Sequence, residues 1–92
     1  MIARRVVVRG RVQGVGFRYA MVEAARDAGA SGWVRNRRDG TVEALVQGDA
    51  DPVDAVVAWC RRGPAGARVA DVEIEACTPD PRLVGFVQAP TA

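Results

Sequence analysis

The sequence predicts an α+β sandwich in which two helices cover one face of an antiparallel sheet. Three observations carry this expectation. Short apolar runs with period-two alternation occur before residue 12, between residues 31 and 47, and after residue 66. Two segments with apolar residues at three- and four-residue steps lie between those runs. The connections are rich in Gly, Asp and Pro, the residues that reverse a chain.

Residues 4–11 form the first strand, with Val6 and Val8 on one face and Val7 and Arg9 on the other. A helix is expected from Phe17 to Ala28, since Phe17, Met21, Ala24, Ala25 and Ala28 share a face while Glu23, Arg26 and Asp27 take the other. Gly29 is placed to cap it. Ser31 to Arg38 reads as the second strand, with Trp33 and Arg35 on one side and Val34 and Asn36 on the other. Arg37-Arg38-Asp39-Gly40 is a hairpin turn, and Thr41 to Gln47 a third strand with Val42, Ala44 and Val46 on one face. Asp49 or Asp51 can cap a second helix with Pro52 at its first position. Val53, Val56, Val57 and Cys60 are its buried stripe, and Arg61 and Arg62 fall in its last turn. Residues 67–77 form a fourth strand, with Val72, Ile74 and Ala76 inward and Asp71, Glu73 and Glu75 outward. Leu83 to Val87 is a short fifth strand, and the tail from Pro90 is expected to fray. Two split β-α-β units of this order build a ferredoxin-like sandwich over residues 1–92 as one domain.

Composition narrows the chemistry. The 92 residues include no histidine, which excludes Ser-His and Cys-His catalysis and the commonest zinc sites. Cys60 and Cys77 form neither a disulfide framework nor a metal motif, and both are expected to be reduced packing residues. The net charge of +2 is too small to argue for nucleic acid by itself, although every one of the 13 basic residues is arginine, which grips phosphate through a planar fork. The N-terminal valine run is too short for a signal peptide or a membrane span, so the expected location is the cytoplasm.

The stretch Gly10-Arg-Val-Gln-Gly-Val-Gly-Phe-Arg18 stands between the first strand and the first helix. Glycines at 10, 14 and 16 permit positive φ and close approach to the backbone. A strand, a glycine-rich turn and a helix start present a concave row of N–H groups, so Gln13, Gly14, Val15, Gly16, Phe17 and Arg18 are expected to form an anion cradle with the Arg18 guanidinium at its mouth. It is not a Walker loop, since the Gly-Lys-Ser/Thr ending is missing, and no GxGxxG dinucleotide fingerprint is present.

Together with Gly32-Trp-Val-Arg-Asn36, Asp39-Gly40-Thr-Val and Gln47-Gly48, this loop resembles the acylphosphatase family over residues 4 to about 87. The resemblance implies a metal- and cofactor-independent hydrolysis of the carboxyl–phosphate bond of acyl phosphates. Carried over by position, it makes Arg18 the phosphate-binding arginine and Asn36 the residue that holds the attacking water. Arg37 follows Asn36 where relatives commonly have a small hydroxyl residue. The chemistry agrees with the residues present. The leaving group is a carboxylate, so little acid catalysis is needed, and the work left is to hold phosphoryl oxygens, offset charge and place water in line.

Arg35, Arg37 and Arg38 read as a solvated hairpin or as a patch that attracts an anionic substrate. Trp33 and Trp59 read as packing residues rather than stacking platforms, and Arg9 and Arg11 as solvent-facing flanks. A non-catalytic phosphate-binding module is the alternative function. RNA binding is disfavoured, because the outer face of the central strands, with Val7, Arg9, Glu43, Leu45 and Gln47, has no Phe or Tyr. The expected partner is a small-molecule acyl phosphate, with no nucleic acid, no membrane and a monomeric state.

Overall fold

A computed structural model describes residues 1–92. The chain runs β1 (Ile2–Arg11), α1 (Phe17–Ala28), β2 (Ser31–Asn36), β3 (Val42–Gly48), α2 (Ala50–Cys60), β4 (Arg68–Cys77) and β5 (Phe86–Gln88). The sheet order is β4-β1-β3-β2-β5. The first four strands pair antiparallel, which is the ferredoxin-like arrangement the sequence predicts.

The fifth strand corrects the expectation of a wholly antiparallel sheet, because β5 pairs parallel to β2. The cause is topological. After β4, at one edge, the chain crosses under the sheet and returns along the opposite edge. Gln47 holds this crossing: its Nε2 donates to the Asp80 carbonyl at 2.7 Å, and its Oε1 accepts the Asp80 N–H at 2.8 Å. The strand begins later than the sequence suggested, at Phe86, whose ring is fully buried.

Val6, Val8, Val34, Val42, Ala44 and Val46 face the helices and meet Phe17, Met21, Val22 and Ala25 of α1 and Val53, Val56 and Cys60 of α2. Fully burying such side chains is worth about 1.5–3 kcal/mol each against leaving them exposed. The α1 boundaries agree with the sequence reading, and Gly29 closes the helix in the left-handed region with its N–H on the carbonyls of Ala25 and Arg26. Val22 replaces Ala24 in the buried stripe. In α2, Asp49 is the N-cap without a side-chain bond. Pro52 is the third helical residue rather than the first, still within the turn whose N–H groups have no intrahelical partner. Arg61 and Arg62 lie just beyond the last helical residue.

Two expectations about the margins are corrected. Val72 packs against the core, but Ile74 and Ala76 are exposed, since β4 is an edge strand and the helices pack over β1, β2, β3 and β5. The tail is also not frayed. The N–H of Ala89 bonds the Val34 carbonyl at 2.8 Å, that of Ala92 bonds the Asn36 carbonyl at 3.1 Å, and the Arg38 N–H bonds the Ala92 carbonyl at 2.8 Å. These contacts extend the β5 pairing along β2 to the hairpin. No helix is long and apolar enough to cross a membrane.

Candidate active site

Strand β1 pairs with β3 only as far as Val8 and continues to Arg11 against β4 alone, with an irregularity at Arg9/Gly10. The end of the sheet therefore opens between β1 and β3, and the loop 12–16 fills that opening before α1 begins. Gly14 and Gly16 adopt φ of 73° and 77°. A Cβ at either would meet nothing within 4 Å, so it is the backbone conformation and not space that calls for glycine.

The loop leaves its donors free. No turn or loop hydrogen bond, and no side-chain acceptor, uses an N–H from Gln13 to Arg18. Those of Phe17 and Arg18 belong to the first helical turn, where an intrahelical partner is absent by geometry. The helix dipole adds partial positive charge at the same place, and the first turn holds no acidic residue to oppose an incoming anion. Arg18 is half-buried and makes neither an ion pair nor a side-chain hydrogen bond, so its guanidinium is available. Phe17 anchors the loop from beneath, edge-on to Trp59 with ring centroids 5.2 Å apart.

Asn36 is the last residue of β2 and pairs with Val42, which pairs with Val8. It thus ends the cross-strand row beside which β1 turns into the loop. By alternation it shares the helix side of the sheet with Val34. Its Oδ1 is the one buried side-chain polar atom in the chain without a hydrogen-bond partner. Buried side-chain acceptors left without a partner are uncommon.

A contact that the sequence does not announce joins the two halves. Gln13 Nε2 donates to the Arg37 carbonyl at 2.7 Å and to the Thr41 carbonyl at 2.9 Å. The hairpin it grips is itself well tied. The Gly40 N–H returns to the Arg37 carbonyl at 3.1 Å, and Asp39 Oδ1 accepts both the N–H of Thr41 at 3.0 Å and its hydroxyl at 2.6 Å. The same bonds to Thr41, with Arg37 and Arg9 nearby, hold the Asp39 carboxyl below its usual range against the opposing effect of burial.

The arginines of the hairpin lie elsewhere. A groove of about 400 Å³ is lined by Arg5, Arg35, Arg37, Arg38, Asp39, Glu43 and Ala92, and neither Arg18 nor Asn36 is among them. The groove is on the outer face, since Arg35 pairs across from Glu43 and β-partners share a face. Its cations are largely engaged. Arg5 Nε and Arg35 Nε each sit 2.7 Å from a Glu43 oxygen, Arg37 is 3.7 Å from Asp39, and Arg35 stacks 4.7 Å from the Trp33 ring. The loop 12–16, by contrast, lines no groove, and its N–H groups stay unpaired. No group of three or more Cys, Asp or Glu residues is placed to hold a metal ion.

The fold and the cradle define a class: a ferredoxin-like domain whose first β–α turn offers unpaired N–H groups and an unpaired guanidinium to an anion. Comparison with known proteins narrows it. The acylphosphatase family model matches residues 4–88. The chain is 52% identical to an acylphosphatase of Acidiphilium cryptum over 91 residues, covering 99% of each chain. It is 51% identical to one of Rhizorhabdus wittichii over 90 residues, covering 98% of this chain and 90% of that one. The crystal structure of acylphosphatase from Bacillus subtilis superposes with a TM-score of 0.92 at 34% identity, covering 97% of this chain and 99% of that one. The chain belongs to the acylphosphatase family, and its activity is the hydrolysis of acyl phosphates to a carboxylate and inorganic phosphate.

Proposed function

We propose that residues 1–92 work as one metal-independent acylphosphatase domain, a cytoplasmic monomer, in which the N–H row from Gln13 to Arg18 and the Arg18 guanidinium hold the phosphoryl group and Asn36 orients the attacking water. The observation that carries this reading is the orphaned Asn36 Oδ1, buried at the sheet end that opens into a loop of unpaired donors. The N–H groups bind the non-bridging phosphoryl oxygens. Arg18 adds a charge-assisted contact that strengthens as negative charge shifts in the transition state. Asn36 Oδ1 accepts a hydrogen bond from water and aims its lone pair at phosphorus. Water then forms the new P–O bond, the bond to the acyl oxygen breaks, and the carboxylate leaves with that electron pair. A carboxamide is too weak a base to take the proton of water, which passes to a phosphoryl oxygen or to solvent.

The test is hydrolysis of benzoyl phosphate with EDTA present. Wild type is expected to turn over unimpaired. Arg18→Ala and Asn36→Ala are each expected to lose on the order of a hundredfold or more in kcat, the scale set by removing one preorganised charge-stabilising or positioning group. Variants that keep wild-type turnover overturn these roles. Phosphate binding without turnover of any acyl phosphate identifies a binding module instead.

A further inference from the structure

We propose that the side chain of Gln13 is a positioning residue that sets the phosphate cradle in register with the strand carrying Asn36; the inference rests on the roles proposed above for the cradle and Asn36. Beyond Val8 the β1–β3 ladder stops, so no backbone bond ties the loop to the β2–β3 hairpin. The Gln13 carboxamide takes over at this gap. Both hydrogens of its Nε2 are used, on the carbonyls of Arg37 and Thr41 at 2.7 and 2.9 Å. One of those carbonyls belongs to the residue directly after Asn36 and the other to the residue directly before Val42, the Asn36 pairing partner. A single amide thus grips both strands of the hairpin just where the water-holding residue ends the sheet. Gln13 also contributes its own N–H to the cradle, so any shift of the hairpin is transmitted to the loop through one residue.

The geometry has a kinetic consequence. A phosphoryl group is held by the loop and Arg18, whereas attack requires that group and the water to be in line. Losing the Gln13 amide leaves the grip and spoils the alignment. Gln13→Met keeps the length of the side chain and removes both donors. Gln13→Asn keeps the amide and draws it back by one methylene.

Each variant is expected to lower kcat toward benzoyl phosphate by roughly tenfold, less than removing Asn36, because small misplacements of reacting groups carry penalties of this order and above. The inhibition constant of inorganic phosphate is expected to stay within about twofold of wild type in either variant, since the charge-assisted contacts are intact. In an Asn36→Ala background, Gln13→Met is expected to cost little further, because groups that act through one another are not additive. A lowered melting temperature with unchanged kcat well below it assigns Gln13 a purely structural role and overturns the proposal. So does a phosphate inhibition constant that rises in step with the loss of kcat, or full additivity with Asn36→Ala. If Asn36→Ala itself is fully active, the assignment of Asn36 fails; if Asn36→Ala is inactive while folded Gln13→Met or Gln13→Asn turns over like wild type, only the role of Gln13 fails.

Discussion

Gly16 is both the N-cap of α1 and a member of the cradle, with φ 77° and ψ 20°. A methyl group there has room, so Gly16→Ala isolates the conformational cost from any packing cost. Holding an L-residue in the left-handed region costs about 1 kcal/mol, and that loss is expected in urea unfolding. If the loop relaxes to avoid it, the N–H row diverges. One lost hydrogen bond to a charged group is worth about 1.5 kcal/mol or more, so phosphate inhibition is expected to weaken by about tenfold. An unchanged inhibition constant would mean that the loop keeps its shape or does not hold phosphate. Residue by residue, the candidate site was legible in the sequence where its signals are local. Gly14, Gly16 and Arg18 fall within five positions of one another, whereas Asn36 lies inside a strand read as Ser31 to Arg38 and is singled out only by the resemblance carried by Gly32-Trp-Val-Arg-Asn36. The Gln13 side chain was not legible, since its partners lie 24 and 28 residues away and depend on where β1 leaves β3.

Among the elements, β3 carries the least expected side chain. Glu43 points to the outer face, where the sequence suggests solvent, yet it is buried beneath Arg5 of β1 and Arg35 of β2. One carboxylate thereby fastens the three central strands across their open face. Burial pushes its pKa up, but hydrogen bonds and charge from Arg35 and Arg5 together outweigh that and leave it below the ordinary value. A depressed folded-state pKa stabilises the protein above the unfolded value of about 4.3, and the contribution fades as pH falls through the folded value. Glu43→Gln, which keeps the shape and removes the charge, is expected to destabilise by about 1–3 kcal/mol at neutral pH. The gap to wild type is expected to narrow steadily below about pH 4. Asp39 and Asp80 also titrate low, but they are common to both proteins and cancel in the difference. A gap that is constant with pH would remove the electrostatic account. At this scale sequence periodicity succeeded where an element has two defined faces, as in α1, bounded by Gly16 and Gly29. It failed in β4, whose alternation is correct but whose inner residues Ile74 and Ala76 lie past the cover of the helices. It also misjudged the tail, which is held by backbone bonds that carry no side-chain signature.

The whole molecule has two thiols in opposite situations, and they report on the fold as a unit. Cys60 ends α2 in the centre of the core, fully buried with its Sγ 3.9 Å from the Met21 sulfur. Cys77 ends β4 at the sheet edge and is partly exposed. Burial pushes the Cys60 thiol up to about 12, so the native protein holds almost no thiolate there. Cys60 lies between the two helices and the sheet, so reaching it requires separating α2 from the rest of the core. Under native conditions a disulfide reagent such as DTNB is therefore expected to titrate one thiol per molecule promptly. The second is expected to react at a rate that rises with urea in parallel with global unfolding, because exposure of a core group tracks the population of the open state when reclosing is fast. Cys77→Ser is expected to abolish the fast phase and leave the slow one intact. A fast reaction at Cys60 in water, with activity retained, would mean that α2 detaches without unfolding the site and that the domain is not one cooperative unit.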